Sequence, residues 1–172
     1  MNSKILKLIF ENGSILGIGL CLYTIFMWLS KLDSLYLNYG EYLDIIIFIL
    51  PMLIVFRALK KAKKIYQLTF LKRFIIACSI GMISYLLYHP FLYYYHTKIN
   101  PNWFDYVLRL KQLELSAENL SKAAIDDVLL KMRNVNLLQS KFFNLSSILS
   151  SIVVLPLIIT LLSFIFIRNE DK

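Results

Sequence analysis

Charge is scarce in this chain, and acid is scarcer than base. Only 17% of its 172 residues are charged, against about 25% in an ordinary soluble domain. Long blocks carry no charge at all, and a water-soluble globule of this length could not hide them. Cysteine is reduced to Cys21 and Cys78. Both lie inside apolar runs without a CxxC neighbour, which argues against a disulfide framework or a thiolate zinc site. They read as small buried apolar residues. With five glycines and four prolines, flexible linkers and low-complexity tracts are excluded, and no internal repeat is visible. There is no GxSxG, HExxH, P-loop or dinucleotide fingerprint. Accordingly no catalytic, cofactor-binding or metal-ligating set is expected, and no cofactor is assigned. Two histidines without a convergent carboxylate or thiol do not make a metal site.

What the chain does have is apolar residues, 58% of the total with 15% aromatic, gathered in runs. A membrane-crossing helix needs about 20 mostly apolar residues. Four stretches qualify, at about 13–30, 42–59, 74–95 and 145–167. Lys4 and Lys7 precede the first, and no small-x-small cleavage site follows it, so it reads as an uncleaved signal anchor. Pro51 and Pro156 fall within spans two and four and predict kinks there; Pro90 lies near the end of span three. The expected architecture is all-α, an integral membrane four-helix bundle forming a single membrane domain over residues 1–172. A helical extracytoplasmic segment at about 100–140 joins spans three and four.

Orientation follows from the connections. Positions 57–73 hold seven cations, Arg57, Lys60, Lys61, Lys63, Lys64, Lys72 and Arg73, and no acid. A short basic connection between apolar runs stays in the cytoplasm, which places both termini inside. The first connection instead carries Asp33, Glu41 and Asp44 against Lys31. Trp28, Tyr85, Tyr88, Tyr93, Tyr94, Tyr95, Trp103 and Tyr106 gather toward the outer boundary, where aromatic rings favour the headgroup level. The net charge of +8 sits beside apolar runs rather than on a soluble face. The expected counter-charge is therefore anionic lipid at the cytoplasmic surface, not nucleic acid, at about 1 kcal/mol per near-surface cation.

The third connection is 48 residues long, too long for a plain linker. Trp103, Phe104, Val107, Leu108 and Leu110 approximate a helical stripe. Ser116 reads as the N-cap of a second helix over 117–133. Two amphipathic helices are expected there, lying on the outer leaflet or folding back over the bundle mouth.

Candidate functional residues are few. Ionisable groups near lipid deserve attention by default. Glu11 reads as an inner-interface charge, and Asp44 as a helix-start carboxylate facing the positive end of the helix dipole. His89 and His96 flank Pro90. His89 could titrate near neutral pH and pair with Asp44, although a polar contact among the spans is the plainer reading. Asp44, His89 and His96 thus form a speculative polar site. Gly13, Gly17 and Gly19 on span one, and Ser146, Ser147, Ser150 and Ser151 on span four, form faces where helices can approach closely. Those faces serve either internal packing or another subunit, a membrane-protein partner or a second copy.

The Gly13, Gly17 and Gly19 start of span one carries a resemblance, together with the basic turn into Leu68-Thr69-Phe70 and the Ile99-Asn100-Pro101 sequence after span three. The chain resembles a family of small four-span bacterial inner-membrane proteins known only as a domain of unknown function, over roughly residues 7–167. Its span four uses serines where glycines are frequent in that family. The resemblance implies four membrane helices and neither a reaction nor catalytic residues.

The leading functional expectation is a non-enzymatic accessory or scaffold subunit. A transport or channel component is the first alternative, with a polar path through Asp44, His89 and Ser150. The second is a lipid- or envelope-modifying enzyme, which requires His89, Asp44, His96 and Asp105 to converge.

Overall fold

The computed structural model describes residues 3–65, 67–118, 120–139 and 148–167. Every regular element among them is helical: α1 (Ser3–Leu29), α2 (Leu37–Leu43), α3 (Ile46–Lys63), α4 (Phe70–Tyr94), α5 (Trp103–Ala117), α6 (Lys122–Gln139) and α7 (Leu155–Phe166). π-helical turns follow α4 at Tyr95–Ile99 and precede α7 at Ser150–Val154. Three helical stretches are long and apolar enough to cross a membrane, Ser3–Leu29, Leu37–Lys63 and Phe70–Ile99. The apolar stretch Ser150–Phe166 is shorter. At 27 residues, α1 is about 40 Å long, more than the roughly 30 Å hydrocarbon thickness.

Helix boundaries depart from hydropathy where other forces act. α1 begins ten residues before the apolar run, because Ile5, Leu8, Ile9 and Asn12 are buried on one side while Lys7 and Glu11 stay outside as an i,i+4 pair 3.8 Å apart. The second span is divided by a turn at Asp44 and Ile45, with Asp44 as the C-cap of α2. Pro156 lies within the continuous helical stretch Ser150–Phe166, just after the π turn Ser150–Val154, and that widened turn is where the helix accommodates the missing proline N–H.

The chain forms two compact units, whose boundary falls within α1 and α4. The first takes Met1–Cys21, Ile46–His89 and Leu145–Lys172. Its core is one cluster supplied by α1, α3, α4 and α7, including Ile9, Leu16, Val55, Leu59, Ile76, Ile80 and Ile159. On α3 the buried positions are Pro51, Ile54, Val55, Ala58, Leu59 and Ala62, a stripe with helical period. The outward positions are apolar as well: Phe10 is 65% exposed and Ile165 67%. In water such faces would be a liability. In hydrocarbon they are the solvated surface, and packing between helices rests on close contact instead.

The second unit takes Leu22–Ile45 and Pro90–Asn144. α1 ends here in a Schellman motif, with Leu32 N–H donating to Met27 C=O at 2.9 Å and Lys31 N–H to Trp28 C=O at 3.0 Å. Lys31 occupies the left-handed position at φ 58°, where glycine is the usual residue. Gly40 on α2 lies against this turn. A Cβ there would stand 2.0 Å from the Leu32 carbonyl oxygen, so no side chain fits. α5 buries Leu108 and Leu115. Ser116 is not the N-cap of the next helix. It lies in the last turn of α5, its hydroxyl donating to Gln112 C=O at 2.7 Å, because burial of Leu115 carries α5 one turn further. Ser121 takes the cap, accepting from Ala124 N–H at 3.3 Å.

Candidate functional site

Two buried charges mark the places where polarity is built into this fold, one in each unit. In the first unit Arg73, at the start of α4, is 1% exposed. Its Nη1 donates to the Ser163 carbonyl at 2.8 Å and to the Ser163 hydroxyl at 3.0 Å. Nη2 donates to Ile167 C=O at 2.7 Å, and Nε to Leu68 C=O at 3.3 Å. The guanidinium also lies 4.3 Å from the centroid of the Phe164 ring. Ser163 and Ile167 close the last turn of α7, where helix carbonyls lack intrahelical donors and the helix dipole is negative. Arginine suits the place: it stays protonated, and its planar fork reaches several acceptors at once. The charge count groups Arg73 with the headgroup-facing cations, and its burial departs from that. It falls in register with the buried stripe Ile76, Ala77, Ile80 and Ser84, a signal the charge count obscures.

In the second unit Asp33 is 6% exposed. Its Oδ2 accepts a hydrogen bond from the Tyr95 hydroxyl and another from Asn100 Nδ2 at 2.9 Å. Asn100 Nδ2 also donates to the Tyr95 hydroxyl oxygen at 3.1 Å. Asp33 Oδ1 is buried with no hydrogen-bond partner among the described residues. The π turn makes this cluster possible. Asn100 N–H reaches back five residues to Tyr95 C=O at 2.8 Å, and the widened turn sets Asn100 over Tyr95. It also turns Tyr95 inward to 2% exposure, while Tyr94 beside it stays 57% exposed. Burial pushes the Asp33 carboxyl above its usual range, and the Asn100 amide pulls it partly back. Next to it, His96 packs between Tyr95 and Trp103, with ring centroids at 5.1 and 4.7 Å, and its Nδ1 is buried without a hydrogen-bond partner among the described residues.

The anticipated polar residues are distributed. Asp44 accepts from the Tyr23 hydroxyl at 3.0 Å on an exposed face. His89 stacks on Tyr85 in α4, centroids 4.6 Å apart. Asp105 is exposed in the first turn of α5. Among the described residues, no hydrogen bond or ion pair links Asp44, His96 and Asp105. Asp33, Tyr95 and Asn100, which do converge, read in sequence as a topology charge, an interfacial ring and a turn residue. Only a π turn unites them, and the apolar pattern carries no mark of it.

The small-residue faces are filled within the first unit. A Cβ on Gly13 would stand 2.7 Å from Ile83 Cβ, and one on Gly17 2.9 Å from Leu87 Cβ. Gly19 leaves room for Leu50 at 3.3 Å, and the Ser151 carbonyl approaches Gly81 of α4. Ser146 and Ser147 lie outside the described residues. Of the remaining cations, Arg57, Lys60 and Lys61 are exposed on α3 and Lys64 in the turn after it. Lys63 is half-buried, and Lys72 donates to Gln67 C=O at 3.3 Å.

A small cavity of about 110 Å³ in the first unit is lined by Leu16, Leu20, Val55, Ile159 and neighbouring side chains, with hydroxyls from Ser84, Tyr85 and Ser151. No group of three or more metal-ligating side chains occurs among the described residues.

Long apolar helices with apolar side chains on their outward faces define a membrane-embedded helical protein. More particularly, the chain belongs to the family described as protein of unknown function (DUF4199), whose model matches residues 11–169. Comparison with curated proteins and with solved structures gave no match.

Proposed function

We propose that this protein is a non-enzymatic, four-span accessory subunit of the bacterial cytoplasmic membrane. Both termini lie in the cytoplasm, and α5 and α6 lie outside as an amphipathic pair. The observation that carries the reading is where the buried polarity goes. Arg73 is engaged by the end of α7 and Asp33 by Tyr95 and Asn100. Both serve to hold helix ends rather than to line a shared cleft. What the protein offers its surroundings is surface, apolar around the helices and cationic on α3. Orientation rests on the seven cations of positions 57–73 and the retention of short basic connections in the cytoplasm. Anionic lipids are the partners of that face, and the apolar helix faces receive partner membrane proteins or a second copy. A transport path would need more than the largely apolar 110 Å³ cavity.

Two experiments test this. In a Cys21→Ala, Cys78→Ala background, a membrane-impermeant maleimide added to intact cells should label Lys111→Cys and spare Lys61→Cys. Crosslinking in native membranes followed by mild-detergent purification should recover a defined partner or a homo-oligomer. A lone monomer with no crosslinked species would sink the accessory role.

A further inference from the structure

The exposed face of α3 changes character abruptly along its length. Near its middle Leu53 is exposed and Met52 and Phe56 are half-buried, whereas Arg57, Lys60 and Lys61 are exposed toward its end and Lys64 in the turn that follows. With Phe166 of α7, they line one open groove of about 660 Å³ in the first unit. That volume is within the range of about 300–1,000 Å³ usual for ligand sites. Spacings of four, as in Met52, Phe56, Lys60 and Lys64, put both halves on one strip of the helix. Phe166 stands edge-to-face against Phe56, centroids 5.8 Å apart, and walls the apolar half. Among the described residues the four cations have no hydrogen-bond or ion-pair partner and no acidic side chain lines the groove. The strip from Met52 to Lys64 rises about 18 Å, roughly one leaflet from acyl chains to headgroup.

We propose that this groove is a binding site for one anionic phospholipid. An acyl chain lies along Met52, Leu53, Phe56 and Phe166, and the phosphate is held by Lys60, Lys61, Lys64 and Arg57. A diffuse attraction of lipid to a basic loop needs only charge. Here the apolar half and the cationic half share one groove, the pattern a single amphiphile requires. Four unpartnered cations favour a headgroup with two phosphates over one with a single phosphate, and a zwitterionic headgroup fits least. The inference rests on the proposed orientation only for which leaflet supplies the lipid. Binding in detergent is independent of orientation and of partners, so failure of the labelling experiment and failure of this one are distinguishable.

The test uses the purified full-length chain in neutral detergent, titrated with cardiolipin, phosphatidylglycerol or phosphatidylcholine, with bound lipid counted by native mass spectrometry. One lipid per chain is expected, in the order cardiolipin, phosphatidylglycerol, phosphatidylcholine. The triple variant Lys60→Gln, Lys61→Gln, Lys64→Gln should weaken cardiolipin binding about 100-fold, roughly fivefold per near-surface cation. Lys98→Gln, Lys122→Gln, Lys131→Gln changes net charge equally and should leave binding within about twofold. Leu53→Gln keeps every charge and should cost roughly fivefold through the acyl contact; should the triple variant fail to fold, this variant alone decides. Inorganic phosphate in excess should displace nothing. Equal losses in the two triple variants, indifference to Leu53→Gln, or displacement by phosphate would each overturn the site.

Discussion

The two units solve the same problem, a buried charge, with opposite completeness. In the first, all three guanidinium nitrogens of Arg73 donate to identified oxygens on two segments. In the second, one Asp33 oxygen accepts two hydrogen bonds and the other has no partner among the described residues. The difference follows from what each group can do when burial becomes costly. A guanidinium does not shed its proton in a protein, so it must be fully solvated by acceptors. A carboxyl can take up a proton and stop being an ion, so partial solvation is tolerated. The cation therefore acts as a permanent clamp between α4 and the end of α7. The carboxyl is a contact whose strength depends on pH.

The sharpest way to break this comparison is Arg73→Met, which keeps bulk and removes every donor. The Ser163 and Ile167 carbonyls are then left buried without Arg73, and a loss of about 3 kcal/mol in unfolding free energy is expected. Arg73→Lys should recover part of that, since one ammonium cannot reach three separated acceptors. Steric-trap unfolding in bicelles measures both. If Arg73→Met melted like the parent, the clamp would be wrong. Gly40→Ala comes next. The added carbon meets the Leu32 backbone rather than a movable side chain, so about 2 kcal/mol should be lost, with the damage confined to hydrogen exchange in the second unit.

The third prediction separates the two charges by pH. Burial holds the Asp33 carboxyl above its ordinary value, so the folded chain binds that proton more tightly than the unfolded chain does. Its contribution to stability therefore falls as pH rises from the unfolded value, about 3.9, through the raised folded value, and is level above it. Asp33→Asn should remove that slope and at neutral pH stabilise by about 1 kcal/mol, because an amide is cheaper to bury than a carboxylate. Tyr95→Phe should destabilise at neutral pH instead, by roughly 2 kcal/mol, since it strips a donor from the buried carboxylate. Titrating Arg73→Met over the same range should leave the Asp33 slope intact. The smallest effect belongs to Lys31→Gly, which relieves a left-handed non-glycine residue and should raise stability by about 0.5–1 kcal/mol in a chemical melt.

By itself the sequence determined the class of object: all-helical, rich in helices long enough to cross a membrane, with a block of seven cations at positions 57–73. Those properties depend on composition along the chain, because transfer of apolar side chains into hydrocarbon is nearly additive and needs no knowledge of neighbours. Only the tertiary structure decided which charges are buried. Arg73 and Arg57 look alike in a charge count, yet one is enclosed by the end of α7, ninety residues on, and the other lines an open groove. Asp33, Tyr95 and Asn100 likewise meet across more than sixty residues, through a turn widened by one residue. Such contacts depend on direction and distance between segments remote in the chain. Hydrogen bonds are directional, and hydropathy is not.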